Sequence, residues 1–172
     1  MAETESTTAA DPALIHLGIY LNDHYAGATG GLELFRRAAN SHSGTEAGHL
    51  LGGLTAEVAE DRRSLRAMMV ALGVPVRQYK VIGAWALEKV GRLKPNGHLR
   101  ERSPLSALVE LEAMRLGVEG KAAGWRTLQV AAGRYETLDA TRLAGLIERA
   151  QRQIDTLEKL RLQAAESVVG ES

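Results

Sequence analysis

Four stretches of this chain repeat apolar residues at alternating steps of three and four, and the four are nearly equal in length. That spacing places the apolar residues of each stretch on one face of an α-helix. Each seam also carries a polar residue near its midpoint: His24, Asp61 (with Glu57 one turn earlier), Glu119 and Gln153. A seam that is apolar along its length and polar at its middle constrains the fold strongly. The helices must bury their seams against one another, and the polar groups must meet partners where they meet.

Punctuation in the sequence sets the helix ends. Asp11 followed by Pro12 gives an N-cap and a first-turn proline, which starts a helix over about 11–39 with Leu14, Leu21, Tyr25, Ala28, Leu32 and Phe35 on its stripe. Ser43 and Glu46 have the spacing of a capping box. The helix that follows, over about 45–72, has the seam Ala47, Leu51, Leu54, Val58, Asp61, Leu65, Met68 and Leu72 and ends at Gly73 and Pro75. A shorter helix is expected over about 78–93, inside a connection that runs to Ser103. Ser103 and Pro104 open a helix over about 104–132. Gly133 and Asp139 separate it from a last one over about 140–168, with the seam Leu143, Leu146, Ala150, Gln153, Leu157, Leu160 and Ala164.

No segment alternates as a strand does, so the expected class is all-α. The long helices are about 29 residues each, or roughly 43 Å at a rise of about 1.5 Å per residue. Short links make antiparallel hairpins of the first two and the last two. The connection between the pairs is long enough to run the length of a bundle, so the expected architecture is a four-helix bundle of two hairpins joined by a crossover that carries the short extra helix. Residues 11–169 form this single domain, and residues 1–10, acidic and Thr-rich, read as a disordered tail.

Composition narrows the functions. There is no cysteine, which removes disulfides, thiolate metal sites and cysteine nucleophiles. Lys+Arg and Asp+Glu are 21 each, so bulk charge favours no polyanionic partner, and no nucleic-acid recognition motif or stacking platform is present. No apolar run reaches the roughly 18 residues that span a bilayer. No nucleophile constellation, phosphate loop, zinc signature or dinucleotide fingerprint occurs, so no catalytic residue is expected. The expected location is the cytoplasm.

The phrases Tyr20-Leu-Asn-Asp-His24, Gly83-Ala-Trp-Ala-Leu-Glu-Lys89 and Gly117-Val-Glu-Gly-Lys121, together with the helix lengths and connectivity, resemble an uncharacterised bacterial branch of the ferritin-like superfamily. That resemblance covers about residues 12–168 and implies the question of a di-iron centre. Such a centre takes a Glu from each of two helices and a Glu-x-x-His from each of the other two. The motif occurs once, as Glu46-Ala-Gly-His49, in the first turn of a helix, where Glu46 is better explained as part of the cap. Counted outward from the turns, His24 lies level with Glu60 and Asp61, and Glu119 lies level with Gln153. Helix 140–168 brings Gln153, Arg149 and Arg152 to that level rather than ligands. His24, Glu57, Asp61, Glu119 and Gln153 are therefore expected to form a hydrogen-bonded polar layer or a degenerate metal site. No cofactor is expected, a single divalent metal on Glu57, Asp61 and Glu119 being the alternative.

Two further features call for explanation. Mid-helix glycines cluster in Ala26-Gly-Ala-Thr-Gly-Gly31 and at Gly48, Gly52 and Gly53, each costing about 1 kcal/mol relative to Ala. They serve either close helix approach or a pocket beside His24 lined by Tyr20, Tyr25, Gly27 and Gly31. The short helix carries Lys80, Trp85, Lys89 and Arg92, a basic amphipathic face that either lies across the bundle or meets a partner or membrane surface. The expected function is a non-catalytic binding or interaction protein, as a homodimer or with another protein. The alternatives are a metal-binding oxidoreductase and a peripheral membrane or stress-associated protein.

Overall fold

The computed structural model describes residues 11–77 and 104–170. They form four helices and no strand: α1 (Pro12–Ser41, 30 residues), α2 (Glu46–Ala71, 26 residues), α3 (Pro104–Ala132, 29 residues) and α4 (Ala140–Gly170, 31 residues). The expected tail at 1–10, the cap at Ser103 and the short helix with Lys80, Trp85, Lys89 and Arg92 lie outside the described residues. None of the described helices is long and apolar enough to cross a membrane.

The helix ends follow local chemistry. Asp11 caps α1, its carboxylate accepting from the Ala13 amide at 3.0 Å, with Pro12 in the first turn. The cap of α2 is Thr45 rather than the expected Ser43. Gly44 adopts a left-handed φ of 81°, which reverses the chain and leaves Thr45 extended. From there its hydroxyl accepts from the Gly48 amide at 3.0 Å and donates to the His42 carbonyl at 2.7 Å. A Cβ on Gly48 would lie 2.0 Å from that carbonyl oxygen, so this glycine lets the turn close on the helix. At the far end Gly73 (φ 69°) donates to Val70 at 3.0 Å and Val74 donates to Met69 at 2.8 Å, the paired bonds of a Schellman stop. Asp139 caps α4 through the amides of Thr141 and Arg142.

Contacts between helices give the arrangement. Along α1 and α3 the pairs are Asp11 with Tyr135 just beyond α3, Tyr20 with Thr127, and His24 with Gly124, so the two helices run antiparallel. Along α2 and α4 they are Glu57 with Gln153, Asp61 with Arg149, and Ser64 with Arg142, again antiparallel. The bundle is thus a square in the order α1, α2, α4, α3. Its core is mostly Leu, Met, Val and Ala, with Phe35 and Trp125 as the buried aromatics among the described residues. α2 ends beside the start of α1, where Val74 packs on Gly18. α3 begins at the opposite end, where Ala107 and Glu110 share a small cavity with Ala38 and His42.

Asn22 holds the exit of α2 against α1. It is buried; its amide donates to the carbonyls of Gly18 (2.8 Å) and Pro75 (3.1 Å), and its oxygen accepts from the Arg77 amide at 2.7 Å. Asn22→Ala leaves those backbone groups without these partners, and urea unfolding should show a loss of about 1–3 kcal/mol. A loss under about 0.5 kcal/mol would mean that the segment after α2 is held some other way.

Candidate functional site

Asp61 is the centre of the polar layer. Its side chain is 2% exposed, and both of its oxygens accept hydrogen bonds. Lys121 donates to Oδ2 at 2.6 Å, Gln153 donates to the same oxygen at 3.3 Å, and Arg149 donates to Oδ1. Gln153, itself buried, accepts from Lys121 through its Oε1 and donates to Glu57 at 2.8 Å. Arg149 also pairs with Glu60 at 3.6 Å. One buried carboxylate therefore holds a lysine from α3 and an arginine from α4, with a glutamine orienting the set. Burial pushes the Lys121 ammonium below its usual pKa, and the Asp61 carboxylate beside it opposes the shift.

Beside this layer, between α1, α2 and α3, lies a cavity of about 490 Å³, a size typical of small-molecule sites. Its wall at one end is apolar, with Leu34, Phe35, Val58 and Met114, while His24, Asp61, Arg62 and Lys121 line the other part. Glycines make the space. Gly27 and Gly31 of α1 and Gly117, Gly120 and Gly124 of α3 all line it. At the first four, a Cβ would meet nothing within 4 Å. At Gly124 it would lie 3.2 Å from Nδ1 of His24, so this glycine makes room for the imidazole instead.

His24 packs on the Tyr20 ring, centroids 4.4 Å apart, and accepts and donates no hydrogen bond among the described residues. Tyr20 in turn shares a hydrogen bond with Thr127 at 3.2 Å. Arg62 stacks over the Tyr25 ring at 4.8 Å and donates from Nε to Thr29 at 3.0 Å.

The residues expected from the sequence are thus only partly brought together. Glu57, Asp61 and Gln153 meet as one layer. His24 stands on the cavity wall beside Gly124, and Glu119 turns toward Arg115 at 3.7 Å. Of the expected pocket, Tyr20, Gly27 and Gly31 line the cavity, and Tyr25 is not among its lining residues. Lys121 was not among the residues expected at this level. Its signal was its position three residues after Val118 and four before Trp125, both buried, which puts it at the edge of the buried stripe.

The arrangement does not fit a di-iron centre. Among the described residues no three His, Asp or Glu side chains converge to hold a metal. The carboxylate best placed for it already accepts from an ammonium and a guanidinium, whose charges would repel an incoming cation. Comparison with protein-family models, curated proteins and solved structures gave no match to this chain.

Burial holds the His24 imidazole below its ordinary pKa of 6.5, with Asp23 opposing. The unfolded chain therefore takes up this proton first. The stability linked to His24 is complete above pH 6.5 and falls as pH drops from there to the folded value. Wild type should lose more unfolding free energy than His24→Gln between about pH 7 and 5. Parallel pH profiles for the two proteins would contradict this.

Proposed function

We propose that this chain is a ferritin-like bundle that binds a small, largely apolar molecule non-catalytically. The cavity that glycines keep open between α1, α2 and α3 carries this proposal. Five helix-interior glycines oppose helix stability, by about 1 kcal/mol each relative to Ala. At four of them nothing nearby would obstruct a side chain, so close helix packing does not account for them. Space for a guest does. The walls are mostly hydrocarbon, with a few polar groups at one part, the usual character of a site that takes an apolar body and orients one polar end.

The ferritin-like part of the proposal is supported by the topology. Both neighbouring pairs are antiparallel, and α2 ends at one end of the bundle while α3 begins at the other, as two hairpins of such a bundle would. In this scheme the ammonium of Lys121 and the guanidinium of Arg149 supply, at mid-bundle, the positive charge that metal ions supply in iron-binding relatives.

Binding of N-phenyl-1-naphthylamine, which brightens in apolar surroundings, tests the cavity. Gly27→Ala and Gly117→Ala should raise stability by up to about 1 kcal/mol each, because the new methyl groups enter open space. Gly31→Leu with Gly117→Leu should keep the helical circular dichroism and abolish the dye signal. No dye binding by wild type, or undiminished binding by the doubly filled variant, would refute a ligand cavity.

A further inference from the structure

The hydrogen-bonding capacity left over beside Asp61 is weighted toward donors. Asp61, the buried acceptor on its wall, already accepts from Lys121, Gln153 and Arg149. The donors are not used up. Lys121 has three N–H bonds and donates two of them, to Asp61 and Gln153. Arg62 uses its Nε on Thr29, and its terminal nitrogens make no hydrogen bond among the described residues. The His24 ring nitrogens make none either, and a neutral imidazole there has one N–H to donate beside one acceptor nitrogen. Asp23 also lines the cavity but is exposed, so water screens its charge.

Charge points the same way. The buried layer sets one carboxylate, Asp61, against the two cations Lys121 and Arg149. The further carboxylates, Glu57 and Glu60, belong to exposed residues. Burial already pushes the Lys121 ammonium down in pKa, so a second anion beside it would restore stabilisation that water no longer supplies. The cavity runs along α1 from His24 at its polar part to Leu34 and Phe35 at its apolar end, eleven steps of the helix, about 16 Å at the helical rise.

Resting on the binding function proposed above, we propose that the guest is an unbranched alkyl monocarboxylate, its head on Lys121 and His24 and its chain lying between α1 and α3 toward Phe35 and Met114. The head accepts the third N–H of Lys121 as a charge-assisted bond and a further N–H from His24. The chain fills the volume that Gly27, Gly31 and Gly117 leave empty.

Displacement of N-phenyl-1-naphthylamine by three probes of one chain length tests the head: decanoate, 1-decanol and decylammonium, at neutral pH. Decanoate should bind about ten-fold or more tighter than decanol, and decylammonium weakest. Lys121→Met keeps the length of the stem and leaves Arg149 and Gln153 on Asp61. In that variant decanoate should fall to the level of decanol, with decanol itself unchanged. Equal binding of decanoate and decanol by wild type, or decylammonium as the tightest, overturns the carboxylate while leaving the cavity function standing. A decanoate preference that survives Lys121→Met overturns the assigned head site. If the dye binds and none of the three displaces it, the alkyl guest is wrong. Should Lys121→Met fail to fold, the wild-type ranking decides.

Discussion

A carboxylate sealed inside a helical bundle must be paired, and Asp61 is paired twice. Withdrawing its charge from water costs several kcal/mol, which the attraction of Lys121 and Arg149 and the amide of Gln153 offset. Each partner comes from a different helix or a different turn, so the bonds fix α2, α3 and α4 in one register. α1 contributes nothing to that layer. It is tied instead by Asp11 to Arg134 and Tyr135, by Tyr20 to Thr127, by Asn22 to the chain after α2, and by Thr29 to Arg62. Where α1 passes the layer, glycines face α3 and the cavity opens. The rigid polar layer and the empty space beside it are two consequences of one arrangement.

This arrangement separates two uses of a mid-bundle polar level. A metal centre gathers carboxylates and neutral imidazoles and leaves their lone pairs for the ion. Here the cations are covalent parts of the chain, and the acceptors are already occupied by them. What remains open at Lys121 is donor capacity facing the cavity, the basis of the acceptor-headed guest proposed above.

The four helices were legible because the apolar period runs through each long stretch, and Gly73, Asp11 and Asp139 terminate or cap helices by local chemistry alone. Asp61 and Gln153 were legible for the same reason: a polar residue in a strict apolar seam has nowhere to go but inward. Lys121 was harder. Glu119 and Lys121 flank the stripe of Val118 and Ala122 on opposite sides, and only the partners on the other helices decide which of the two turns in. The α2 cap moved from Ser43 to Thr45 because the left-handed Gly44 sets the direction of the chain. Glycine clustering in α1 was visible in the sequence. Whether it closes or opens the gap between helices depends on their separation, which no periodicity encodes.

The polar layer rests on the coupling between Asp61 and Lys121, and a double-mutant cycle measures it. Unfolding free energies of wild type, Asp61→Asn, Lys121→Met and the double variant, taken in urea at neutral pH, give the interaction directly. The double variant should be more stable than the sum of the single effects requires, by about 1–3 kcal/mol, because Asp61→Asn leaves Lys121 without its paired carboxylate and Lys121→Met leaves Asp61 with Arg149 as its one paired cation. Additive effects within about 0.5 kcal/mol would mean that the two groups do not hold each other, and would contradict the layer on which the cavity's chemistry is built.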